Sequence, residues 1–152
     1  MNCRFPLTKA ASLVLLSSTF ILGGCLNMGS KAPVPPAYSG SGGMTAWDIK
    51  PEAYLYHYEH GFTGEDALGW PQELQFAWSR LGGAVTCKIE FDNAEMIALL
   101  QQSFGESPGT HELNGIGFHA VQSRKVPGFC SEERGDNITD KLRRFVKGRF
   151  KP

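Results

Sequence analysis

The densest group of side chains able to hold a metal or move a proton is His57-Tyr58-Glu59-His60. On a helix, His57 and His60 at i and i+3 would share a face and could share a cation. On a strand they would point to opposite sides. The segment has no H-E-x-x-H pattern, and no third ligand can be placed by spacing, as a zinc centre requires. His111 and His119 stand far apart in the chain and add no ligand pair. The plainer reading is an exposed polar segment, so no metal and no cofactor is assigned.

Hydrolase chemistry needs an activated nucleophile with a base beside it and an oxyanion hole. Ser79, Ser103, Ser107, Ser123 and Ser131 stand in no G-x-S-x-G context. Glu132-Glu133 and Asp136 would be paired acids, but Ser131 to Asp136 reads as a solvated loop. Gly115-Ile116-Gly117 lacks the strand–G-x-G-x-x-G–helix order of a dinucleotide site. No catalytic residue is assigned on these grounds.

The chain opens with Arg4 and Lys9 and no acid, followed from Ala10 to Leu22 by an apolar stretch within the about 7–15 residues of a signal-peptide core. No apolar run approaches the roughly 20 residues that span a bilayer. Leu22-Gly23-Gly24-Cys25 comes next. This order resembles the lipobox of bacterial lipoproteins: an aliphatic residue, two small residues, then the cysteine that becomes the mature N-terminus. The resemblance implies removal of residues 1–24 and lipidation of Cys25. Several acyl chains at about 0.8 kcal/mol per buried CH₂ would make the anchor effectively permanent. Leu26 is not the Asp that retains lipoproteins in the inner membrane, so the resemblance implies the outer membrane, with the domain facing the periplasm.

Loss of Arg4 and Lys9 takes the basic residues from 15 to 13 against 15 acids, a net charge of −2. Nothing in that balance suggests nucleic acid, whose partners are strongly basic. Residues 25–43 form the lipidated cysteine and a Pro/Gly/Ser tether, stiff in its first half and loose in its second. By random-coil scaling it holds the domain about 20–25 Å from the lipid. The remaining domain, 44–152, is large enough to bury roughly two-thirds of its unfolded surface.

Cys87 and Cys130 are an even pair in an oxidising compartment and are expected to form a disulfide. A metal pair or a catalytic thiol are the alternatives. The bridge would close a loop of about 44 residues, worth about 4 kcal/mol by chain entropy.

Within the domain, Leu74, Phe76 and Trp78 alternate with Glu73, Gln75 and Ala77. Val85, Cys87, Ile89 and Phe91 alternate with Thr86, Lys88 and Glu90. With Gly82-Gly83 between the runs, this predicts a hairpin over 72–91. Asp92 and Glu95 form a capping box ahead of Met96, Ile97, Leu99, Leu100 and Phe104, which predicts a helix near 93–104. Ile116, Phe118 and Ala120 suggest another strand. Leu142, Phe145 and Val146 suggest a helix near 139–147. Residues 52–60 are ambiguous: Pro51-Glu52 suits a first helical turn, whereas Tyr54, Tyr56 and Tyr58 alternate like a strand, the preferred reading. The expected fold is α+β, a small antiparallel sheet with helices packed on it.

Charge is distributed unevenly. Residues 44–73 carry Asp48, Glu52, Glu59, Glu65, Asp66 and Glu73 against Lys50 alone. Residues 141–152 carry Lys141, Arg143, Arg144, Lys147, Arg149 and Lys151 with no acid. The two ends either pair with each other or steer a partner. Tyr54, Tyr56, Tyr58, Arg143, Arg144 and Lys147 are therefore the candidate partner-binding residues. The expectation is a lipid-anchored binding or accessory domain with a protein partner in the envelope. The alternative is an immunity or inhibitor lipoprotein that neutralises a toxin delivered to the periplasm; a periplasmic hydrolase or metal-binding protein comes third.

Overall fold

A computed structural model of the chain describes residues 38–45, 49–105 and 115–152. The lipobox, Cys25 and the tether up to residue 37 lie outside the described residues, as do Asp48, Ser107-Pro108-Gly109 and His111.

The described residues form five α-helices: α1 (Pro51–His60), α2 (Gln72–Cys87), α3 (Asn93–Phe104), α4 (Ile116–Lys125) and α5 (Glu132–Phe145), with a 3₁₀ turn at Gly64–Asp66. No strand occurs among them; Met44 and Ile49 make a single isolated bridge. The α+β expectation is thus corrected: the described residues form a helical fold without a sheet.

The predicted 72–91 hairpin is the central helix instead. Every residue of α2 from Leu74 to Ala84 is buried. It packs against α4 and α5, while α1 packs on α4. A helix covered on all sides has no polar face, so its apolar run carries no period that separates helix from strand. The spacing of Leu74, Ala77, Trp78, Leu81 and Ala84, all at or near zero exposure, is helical.

Gly82 and Gly83 serve close packing rather than a turn. A Cβ on Gly82 would lie 2.6 Å from both the Ala120 nitrogen and the His119 Cβ of α4. One on Gly83 would lie 3.1 Å from Ile138 Cδ1 of α5. Beside this approach Thr86 and Ser123 hydroxyls meet at 2.6 Å, and Thr86 donates to the Ala120 carbonyl at 3.0 Å. Lys88 ends α2 in the left-handed region at φ 56. The Ile89 amide then reaches back to the Ala84 carbonyl at 2.9 Å, which closes the last turn.

The segment 52–60 is helical, with Pro51 opening it and Tyr54 and Tyr58 one turn apart on its buried side. The strand expected around Ile116–Ala120 is also a helix. Its buried stripe is His119, Ala120, Gln122 and Ser123, residues that do not register as an apolar period. The loop expected at Ser131–Asp136 and the helix expected near 139–147 are one longer helix, α5. The Ser131 hydroxyl accepts from the Arg134 amide at 3.3 Å, and Glu132 and Glu133 face the positive helix end. Ile138, Leu142 and Phe145 line its buried side.

The predicted helix at 93–104 is present with those bounds, and the Asp92 carboxylate caps it by accepting from the Glu95 amide at 3.0 Å. Cys87 at the end of α2 and Cys130 just before α5 come to disulfide-bonding distance, with Cα atoms 5.3 Å apart. The bridge ties the central helix to the α4–α5 connection.

Candidate functional site

Ser79 and Arg80 of α2 are buried beside Tyr58 of α1, and His119 of α4 is buried beside Tyr54 of α1. Arg80, 6% exposed, is the single buried lysine or arginine among the described residues. Its guanidinium carbon lies 3.8 Å from the Tyr58 ring centroid and 4.4 Å from that of Phe76. Its Nη1 donates to Ser79 Oγ at 3.1 Å, and Ser79 donates its own hydrogen to the Phe76 carbonyl at 2.8 Å. Nε is buried with no hydrogen-bond partner. No acid of the described residues forms an ion pair with Arg80. Burial pushes the guanidinium below its usual range, opposed by the nearby Tyr58 and Glu59.

A cavity of about 160 Å³ opens beside this group. Its walls are the end of α1 (His57 to His60), Gly61 and Phe62, and the α2 residues Gln72, Phe76, Ser79 and Arg80, with Pro152 at one side. Gly61 at φ 100 lets the chain turn at the end of α1. A Cβ there would lie 2.8 Å from Gln72 Nε2, so the bare glycine leaves room for that amide at the rim. Glu59 is engaged elsewhere: Arg134 Nη2 and Nε meet its Oε1 at 2.9 and 3.0 Å. Arg134 also donates to the Phe129 carbonyl.

Fully buried His119 packs edge-on against Phe62 of the cavity wall, with ring centroids 5.2 Å apart. The Tyr54 hydroxyl sits 3.1 Å from its Nδ1 and 3.2 Å from its carbonyl, and its Nε2 has no partner. Burial, with the Arg80 charge second, pushes His119 down to about 3. Burial likewise raises the Tyr58 phenol to about 12 and the Tyr54 phenol well above its usual range. The Tyr54–His119 pair is a neutral hydrogen bond inside the core.

The two histidines of the densest motif do separate things. His57 is buried, with Nδ1 3.0 Å from the Gly61 carbonyl and Nε2 3.3 Å from the Asp66 carboxylate. The same Asp66 oxygen accepts from the Gly42 amide at 2.8 Å, so His57 and Asp66 fasten the backbone at Gly42 to the end of α1 and the 3₁₀ turn. Exposed His60 stacks on Tyr56 with ring centroids 4.2 Å apart. No group of three His, Cys, Asp or Glu able to hold a metal occurs among the described residues. None of their helices is long and apolar enough to cross a membrane.

No protein-family model, curated protein or solved structure matches this chain.

Of the residues expected to meet a partner, Tyr54 and Tyr58 belong to the core, at 0% and 2% exposure. Tyr56 is half-buried, packed edge-on against Tyr38 at 5.2 Å between centroids. Arg143 and Lys147 are exposed. Arg144 donates to the Lys151 carbonyl at 2.9 Å, and Lys151 reaches Glu73 at 3.6 Å across exposed surface. Among the described residues the basic and acidic ends meet at the Lys151–Glu73 pair, which at such exposure is worth little. A broader depression of about 790 Å³ lies at the end of α2, lined by Val85, Lys88, Ile89, Glu90, Phe91 and others, but it is open and holds no buried charge.

The sequence singles out neither Arg80 nor Gln72, and Ser79 enters it only as a serine without the neighbours of a nucleophile. The available signal was an arginine inside the apolar run Phe76–Ala84, where a charge must find a partner, a ligand or an edge.

Proposed function

We propose that the chain is a lipid-anchored envelope lipoprotein whose helical domain acts by binding, from an outer-membrane tether facing the periplasm. One observation carries this reading: a basic start, an apolar core and Leu22-Gly23-Gly24-Cys25 follow one another in the order that lipoprotein export requires. The Cys87–Cys130 pair at bonding distance supports an oxidising compartment, where such bridges persist. The docking of Tyr38 and Gly42 on Asp66 supports a chain that is already part of the folded domain at those residues, with any tether lying before them. Exposed Arg143 and Lys147, beside half-exposed Arg144, supply a basic patch for an acidic protein partner.

Fractionation of cells expressing the wild type and Cys25→Ser tests the anchor. The wild type sediments with the outer membrane, and the variant is released from it. Charge reversal at Arg143 and Lys147 tests the patch. A partner recovered by cross-linking to the wild type should be lost from the double variant, and its unchanged recovery would remove the patch from the account.

A further inference from the structure

The Arg80 cavity has the properties of a ligand site. A buried guanidinium without a counter-ion is strongly unfavourable unless its hydrogen bonds are completed. Here Ser79 satisfies Nη1, aromatic rings cover the guanidinium, and the buried Nε remains unpaired. With its faces covered by aromatic rings and its Nε out of reach of the cavity, the guanidinium offers an acceptor there its Nη edge, the edge that pairs with a planar two-oxygen group. The volume, about 160 Å³, equals about five waters at ~30 Å³ each, room for a carboxyl group on a short stem. Phe62, Phe76 and Pro152 offer that stem apolar surface, and Gln72 offers an amide at the rim. Glu59 on the same wall disfavours a dianion such as phosphate relative to a monoanion, even with Arg134 paired to it.

We propose that the cavity between the end of α1 and the middle of α2 binds the carboxylate of a short organic acid or of a peptide chain end, with Arg80 as its counter-ion. The inference deepens the binding reading above and rests on it, but lipidation of Cys25 does not enter.

The test is titration of the detergent-solubilised full chain with propionate, N-acetyl-alanyl-alanine, the C-terminal amide of that dipeptide, and inorganic phosphate, followed by calorimetry. One or both carboxylates should bind, the amide should not, and phosphate should bind more weakly. Propionate alone points to a free acid, and the dipeptide alone to a chain end. Arg80→Gln should weaken carboxylate binding about 10- to 100-fold, the worth of hydrogen bonds to a charged group. Because Arg80 is buried, a second variant guards against misfolding: Gln72→Trp at the exposed rim leaves the core untouched and should block the mouth. The proposal is overturned if neither carboxylate binds, if the amide binds as well as the acid, if phosphate binds as tightly, or if Gln72→Trp binds unchanged. Such a failure leaves the anchored state to be decided separately by the lipid at Cys25.

Discussion

Gly82 of α2 and His119 of α4 touch backbone to side chain: a Cβ added to Gly82 would stand 2.6 Å from the His119 Cβ. That approach sets how closely the central helix meets α4, and so where His119 and Arg80 sit. Gly82→Ala should lower stability by about 1–3 kcal/mol or more through overpacking, despite alanine's better helix propensity. Gly117 in α4 and Gly135 in α5 would meet nothing within 4 Å. Gly117→Ala and Gly135→Ala should each raise stability by about 0.5–1 kcal/mol. Urea unfolding of the three variants measures this; a stabilised Gly82→Ala would refute the crossing.

Lys88 holds a left-handed conformation that costs a side-chain-bearing residue about 1–2 kcal/mol. Lys88→Gly relieves it but frees the unfolded chain, so the net gain should be about 0.5–1 kcal/mol. A higher midpoint in urea with an unchanged slope is the expected result.

The Cys87–Cys130 bridge should contribute about 4 kcal/mol. Reduction under native conditions should lower the melting temperature sharply, and the Cys87→Ala/Cys130→Ala variant should melt like the reduced wild type. Alkylation before reduction should find neither thiol. Two reactive thiols in the native protein would place both residues outside a disulfide.

Fully buried His119 binds its proton only near pH 3, whereas in the unfolded chain it does so near 6.5. Between these values the unfolded state holds more protons. The resulting stability is therefore whole above about pH 6.5 and is lost as pH falls toward 3, by up to about 1.4 kcal/mol per pH unit. His119→Asn keeps an acceptor for the Tyr54 hydroxyl without the titration. Its stability should fall less between pH 6.5 and 4 than that of the wild type, and parallel curves would contradict a neutral buried imidazole.

How far the sequence discloses this fold depends on where each helix keeps its signals. Helix α3 is legible because Asp92 caps it and its apolar stripe has a polar side, both local features. Helix α2 is not, because burial on all sides erases the polar face and Gly82-Gly83 imitates a turn. Helix α4 buries His119, Gln122 and Ser123 against α2, so its inward stripe looks polar until the partner helix is known. The cavity was hidden for a related reason. Arg80 meets Tyr58 across 22 positions of chain, and only the packing of α1 on the bundle brings the two together.

The central claim is a folded domain carried on a lipidated Cys25. Metabolic labelling with an alkyne fatty acid, read after click coupling on a denaturing gel, addresses it most directly. The wild type should take up label and Cys25→Ser should not. An unlabelled wild type that stays in the cytosol would contradict the account.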